Sequence, residues 1–365
     1  MRQVHRSQQS LSFAAIALLM AAMPAAVSAC TICIGFPEKT DADYLVQADC
    51  VVLARESRKD PFSFAPLETL KGHYDGTEID LLVDSKTRRI FRADPDRWVI
   101  LVQNTRGGPW HSLGIASKPY VSVARRIILL LSDSGKGATE QKRWEFFLPL
   151  FGHRDARIRQ LAYLEMSRAP YRVIKQLDHA ASRDDWMPML NDRRYLQWRS
   201  LAILILAQSE KPQDKERILE AFHSAHRFGL TTTLAAWAAA AIEVDCGSTI
   251  RFIEDKYFRR ANSSAEELDA VITALSMHGS QQDAERQDLI VASYRVLLGH
   301  HPQRAPQVAD DLYAWKRSEL VDVLASIRER DLSFAAGKHS ITRYLRAVES
   351  LEESPLASEK LHERR

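Results

Sequence analysis

Two cysteines three positions apart, Cys30 and Cys33 in the stretch VSACTICIGF, are the first residues of this 365-residue chain with an obvious capacity for chemistry. Their spacing suits a redox dithiol, half of a tetrahedral metal site, a haem attachment, a structural disulfide or, at Cys30, a lipid anchor. Haem attachment needs a histidine directly after the second cysteine, and Ile34 stands there. A thioredoxin-like pair opens a helix that follows a strand, where the helix terminus lowers one thiol's pKa. Here no βαβ pattern precedes the pair, and Pro37 follows closely. Zinc would draw on Cys30, Cys33 and Cys50 with His73 as a fourth ligand, but a structural site ordinarily shows a second close pair. A disulfide between Cys33 and Cys50 is preferred. In the chain-entropy account, closing a loop of ~15 residues contributes about 3 kcal/mol. Cys246 is expected to be a lone buried thiol.

Other constellations are weaker. The chain has no Gly-x-Ser-x-Gly, His-Glu-x-x-His or Gly-x-Gly-x-x-Gly, the patterns of a nucleophile elbow, a zinc-protease helix and a dinucleotide loop. The stretch SGKGAT (134–139) lacks the order of a phosphate-binding loop and follows a helical pattern rather than a strand. His223 and His226 have a metal-binding spacing but no third ligand in register. The pairs Asp184-Asp185 and Asp310-Asp311 are expected at helix starts, where acids complement the helix dipole and cap free N–H groups. No catalytic residue and no cofactor are expected. Among the tryptophans, Trp198 and Trp237 lie among apolar neighbours and read as core. Trp186, beside Pro188, and Trp315, in YAWKRSE, are the candidate partner-binding residues.

The elements that must position these residues begin with an export signal. Arg2, His5 and Arg6 precede the apolar run LSFAAIALLMAAM, and PAAVSA supplies small residues before a cut. That run falls short of the about 20 residues needed to cross a ~30 Å hydrocarbon layer. Residues 1–29 are therefore expected to be a signal peptide, leaving Cys30 as the first mature residue. Val27-Ser28-Ala29-Cys30 also resembles a bacterial lipobox, in which Cys30 would be lipidated. The expected location is periplasmic or envelope-associated. The formal charge of +3 comes from 50 basic and 47 acidic residues, and removal of Arg2 and Arg6 leaves 48 against 47. Such a balance gives no general attraction for nucleic acid, and membrane association is expected only through a lipidated Cys30.

Three runs rich in Val, Ile and Leu, Cys50–Glu56, Glu78–Asp84 and Arg97–Gln103, are bounded by turn residues and read as strands. They place a β-rich module with a closing helix at 30–133, followed by a linker at 134–139. From 140 to 352 the pattern is a series of helices. In RDARIRQLAYLEMSRAP, for example, Ile158, Leu161, Ala162, Leu164 and Glu165 fall at helical spacing. Helices of this kind cannot bury their apolar stripes alone and must stack. Residues 353–365 read as a polar disordered tail. The fold class is α+β, mainly α, with a small N-terminal β module followed by a helical array.

ADCVVLARE, ETLKGHYDG and DRWVILV resemble a netrin/inhibitor-type OB-fold over the first third of the chain. That resemblance implies protease inhibition, although its Cys-x-Cys is replaced here by Cys-x-x-Cys. FGHRDARIRQLAYLEMSRAP resembles a HEAT-like unit, which implies that Asp155 caps a helix and Arg159 ties adjacent repeats together. Read end to end, the chain resembles a group of bacterial envelope proteins that join a Cys-x-x-Cys, a β module and a HEAT-like tail. The expected function is a non-catalytic scaffold that binds a protein or peptide partner on its helical surface. The alternatives are a metal-binding or thiol-redox protein centred on the Cys-x-x-Cys, and a protease inhibitor.

Overall fold

A computed structural model describes residues 39–132, 138–176, 183–281, 283–330 and 337–362. The fold class is α+β, mainly α: a four-stranded antiparallel sheet near the N-terminus leads into a helical array. The expected signal peptide, Cys30 and Cys33 lie outside the described residues. Among the described residues, no helix is long and apolar enough to cross a membrane.

Helix α1 (Asp41–Gln47) is started by Thr40, whose side chain and the Asp43 carboxylate form a reciprocal capping box. The strands are β1 (Cys50–Glu56), β2 (Phe64–Lys71), β3 (Arg97–Gln103) and β4 (Trp110–Ser117), in the order β2-β1-β3-β4. β1 and β3 are central and apolar on both faces because both faces are covered. Alternation along β1 sends Val51 and Leu53 into the main core, and Cys50, Val52 and Ala54 into a second, smaller one.

The second core is closed by helix α2 (Ser85–Ala93) through Phe91, and by Ile79 and Val83 from the chain before it. Here the expected strand Glu78–Asp84 is corrected: it is a covering segment with one β-bridge, Ser63 to Leu82. Ile79 and Val83 serve burial rather than a ladder, Leu82 stays exposed, and Asp84 is spent on capping α2 at the Thr87 amide (2.7 Å). Gly72 is required where it stands, with φ +71 and the Asp49 carbonyl only 1.9 Å from where a Cβ would sit.

Both sheet edges are blunted. β2 carries Pro66 and two register shifts against β1, and β4 has its Leu113 and Ile115 carbonyls capped by the Arg157 guanidinium. Exposed edge groups are templates for unwanted pairing, and proline, bulges and charge suppress it.

Helix α3 (Lys118–Ser132) leaves β4 without a break and packs against it. Helix α4 (Ala138–Phe147) starts inside the expected linker; positions 133–137 lie outside the described residues. The array continues with α5 (Ala156–Ser167), α6 (Tyr171–Gln176), short helical turns over 183–198, and α7 (Arg199–Leu206). The array runs on through α8 (Pro212–Arg227), α9 (Leu234–Val244), α10 (Cys246–Ile253), α11 (Ala265–Gly279), α12 (Ala284–His300) and α13 (Ala305–Trp315), with α8 packed directly on α9 and α11 on α12. Helices α14 (Val321–Glu329) and α15 (Lys338–His362) complete it. α15 runs through most of the expected disordered tail, a stretch rich in the helix formers Glu, Leu, Ala and Lys.

Helix α9 packs against α7, α8, α10 and α11. The composition of α9 explains its place between neighbours. Ala236, Ala238, Ala239, Ala240 and Ala241 are all fully buried, and small side chains let helices approach closely on several sides. One continuous core links the sheet's inner face, through Tyr120, Val121, Ala124 and Ile127 of α3, to the array.

Asp155 caps α5 at the Arg157 amide (2.9 Å), as the HEAT resemblance implies. Arg159 does not tie repeats together: its guanidinium donates to the nearby carbonyls of His153 (2.6 Å) and Arg154 (3.0 Å). Arg157, two positions earlier, makes the long-range contacts instead. Asp310-Asp311 also departs from expectation, lying inside α13 rather than at its start, because α13 begins at Ala305 with Pro306 in its first turn.

Candidate functional site

Three polar networks stand out among the described residues, each built by a different set of elements. The first joins α1 to the array. Arg143 of α4 donates to Asp43 Oδ1 (2.6 Å) and to Glu165 Oε2 (2.6 Å), while Arg168 donates to Asp43 Oδ2. The Thr40 amide also reaches Asp43 Oδ2 (3.0 Å), and its hydroxyl donates to Glu165. Glu165 is fully buried on α5. Burial alone would raise the Asp43 pKa, but Arg143, the Thr40 amide and Arg168 outweigh it and hold the carboxyl below its usual range. Alongside, Asp41 Oδ2 accepts from Tyr120 (2.5 Å) and Arg157 (2.7 Å), and the Arg157 guanidinium lies 3.9 Å from the Tyr120 ring centre. This assembly clamps the start of the described chain onto sheet and array together.

The second network gathers groups near helix ends along the array. Glu243, at the end of α9, accepts from Lys175 (2.8 Å), Tyr171 (3.0 Å) and Arg286 (3.3 Å). Gln208 donates to the Tyr171 hydroxyl (2.9 Å). His278 is fully buried, with Nε2 against the Ala239 carbonyl (2.8 Å) and Nδ1 against Arg286 (2.9 Å). Since the guanidinium can only donate, Nδ1 accepts and Nε2–H donates, which fixes a neutral tautomer. Burial takes the His278 pKa down to about 4, against the pull of Glu243. Glu243 itself is held low, Lys175 and Arg286 outweighing its burial. With every oxygen of Glu243 engaged, the network binds elements α6, α7, α9, α11 and α12 to one another.

The third is a carboxylate with no cation. Asp311 of α13 accepts from Ser276 (2.5 Å) and Tyr294 (2.5 Å). Burial raises its pKa to about 6, and the two hydroxyls hold it from going higher. The Tyr294 phenol is pushed well up by burial and by Asp311.

The residues expected to carry function fall elsewhere. Cys50 is a buried, unbridged thiol facing the second core; its expected partner Cys33, and Cys30, lie outside the described residues. Burial and the nearby Asp75 raise its pKa, which disfavours the thiolate that zinc ligation or exchange requires. His73, the fourth member of the zinc alternative, is exposed. Among the described residues, no group of three or more His, Cys, Asp or Glu is placed to hold a metal ion. His223 and His226 instead pack around Phe252, with ring centres 4.6 Å and 5.4 Å away.

Trp186 is a correction. It is 2% exposed in the main core, because the turn Met187–Leu190 folds it inward and Arg183, anchored on Asp214 (2.8 Å), covers its ring. Trp315 is half-buried, stacked on Tyr294 and seated over Gly279, where a Cβ would come within 2.2 Å of its ring.

Sequence reasoning passed over Asp43 and Glu243 and took Asp311 for an acid at a helix start. Glu165 carried the best signal, an acid falling in the apolar register of α5. No family model, curated protein or solved structure matches this chain.

Proposed function

We propose that the protein is a non-catalytic scaffold of the cell envelope that binds a protein or peptide partner along its helical array. The observation that supports this most is the clamp around Asp43 and Glu165. It ties the segment following the expected processing site to the array, so that a partner held on the helices keeps a fixed position relative to the N-terminal end. Stacked helices supply a long surface for such a partner, and Glu243 and Asp43 are committed to holding helices together rather than directed at a substrate.

Photo-crosslinking from single exposed positions in the full chain tests the reading. Leu196, Leu289 and Tyr313 sample the array, and Leu67 and Leu129 the β module and its closing helix. Discrete adducts with one partner from array positions, and none from Leu67 or Leu129, are expected. Adducts confined to the β module, or uniform labelling from all five positions, would overturn it.

A further inference from the structure

Between α8 and α9 the chain turns through Arg227, Phe228, Gly229 and Leu230. Gly229 has φ +62, and the Leu230 amide reaches back to the Ala225 carbonyl (2.9 Å), a Schellman-type helix end. Such ends often pack the residue after the glycine back on the helix, which accounts for part of Leu230. Yet Leu230 remains 55% exposed and Phe228 68% exposed. No atom lies within 4 Å of the place a Gly229 Cβ would occupy. The tip stands clear of the array.

Basic residues surround it. His223 and Arg227 are exposed on α8, and Lys256 is exposed in the turn 254–258, next to Tyr257, whose ring centre lies 5.1 Å from that of His226. Lys256 and Arg260 lie near enough to His226 to act with burial in lowering its pKa. The acids of that turn, Glu254 and Asp255, are both engaged by Arg259 (3.5 Å and 2.7 Å), and Glu267 is spent on capping the Ser264 amide (2.8 Å). Glu220 of α8 and Glu266 of α11 are exposed acids on these elements. Among the described residues, neither Arg227 nor Lys256 has an acidic partner.

We propose that this tip docks on an anionic lipid surface, Phe228 and Leu230 entering the boundary between headgroups and acyl chains while Arg227 and Lys256 face lipid phosphates. Projecting apolar side chains flanked by cations are the pattern of interfacial binding. A lipid layer receives a convex tip without a matching pocket, which a protein partner would have to supply. The near-neutral total charge does not oppose this, since screening over ~8 Å makes the local arrangement decisive.

Co-sedimentation of the full chain with phosphatidylcholine vesicles, with and without phosphatidylglycerol, tests the proposal. Retention should rise when phosphatidylglycerol is present. That gain should fall roughly tenfold or more in a Phe228→Ser/Leu230→Ser variant and roughly fivefold for each of Arg227→Gln and Lys256→Gln. Inorganic phosphate should not compete. Far-UV circular dichroism checks that the variants fold, and the two charge variants carry the test if the double variant does not. No gain with phosphatidylglycerol, a gain that survives in the folded variants, competition by inorganic phosphate, or capture of an acidic soluble protein without vesicle retention would each overturn it.

Discussion

Asp43 and Asp311 are both largely withdrawn from water, yet they titrate in opposite directions. Burial pushes each pKa up. At Asp43 two guanidiniums and a backbone amide reverse the push, whereas at Asp311 the only donors among the described residues are the hydroxyls of Ser276 and Tyr294. A hydroxyl carries no net charge, so it softens the penalty without cancelling it. The clamp that fixes α1 is thus held by ionised groups, and the α11–α12–α13 junction by a carboxyl that is most comfortable protonated. Charge compensation, not burial, decides which acid supports the fold at neutral pH.

Breaking the clamp should have the largest effect. Arg143→Met leaves Asp43 and the fully buried Glu165 without their shared cation, and stability should fall by about 3–5 kcal/mol. A denaturant midpoint indistinguishable from wild type would show that Arg168 and Thr40 suffice.

Asp311 should act in the other sense. Its folded pKa of about 6 lies above the ordinary 3.8, so its contribution is fully present below pH ~4 and is lost as pH rises through ~6. The difference amounts to roughly 3 kcal/mol. Asp311→Asn should therefore gain stability relative to wild type at pH 8 and lose that advantage at pH 4. Asp43→Asn should show the opposite slope, since a depressed folded pKa gives stability that is present above ~3.8 and lost as pH falls further. Parallel curves for the two variants would break the comparison.

His278 extends it to a base. With a folded pKa of about 4 against 6.5, it takes up protons more readily in the unfolded chain, so stability should decline by roughly 3 kcal/mol as pH falls from ~6.5 to ~4. Its ring proton resonance in NMR should stay in the neutral position at pH 5.5, and titration near 6.5 would show that Glu243 outweighs burial. The smallest effect is expected from Ser276→Ala, which removes one of the two donors to Asp311. It should cost about 1 kcal/mol above pH 6 and raise the Asp311 midpoint, with little change at pH 4.

Parts of these networks were legible beforehand. Central strands β1 and β3 were readable because continuous apolar runs between turn residues leave few alternatives. β2 was harder to read, with Pro66 and an exposed middle, and the segment 78–84 imitated a strand because covering a sheet face and joining one demand similar residues. Glu165 was visible as an acid in an apolar register, but the register could not say that Thr40 and Arg143 would meet it. Asp311 looked like a helix cap because its distance from the start of α13 depended on where that helix began.

By itself the sequence determined the central strands β1 and β3, the β-then-α organisation and the helical character of the array, all of which follow from local periodicity and turn chemistry. Tertiary structure decided which charges meet. Asp43 and Arg168 lie 125 positions apart, and Lys175 and Glu243 lie 68 apart. Their pairing depends on how whole helices stack, and stacking is governed by side-chain shape across interfaces that no local window contains. The same holds for Trp186 and Phe228: aromatic character is written in the sequence, but packing chose which ring would be sealed in the core and which would stand in solvent.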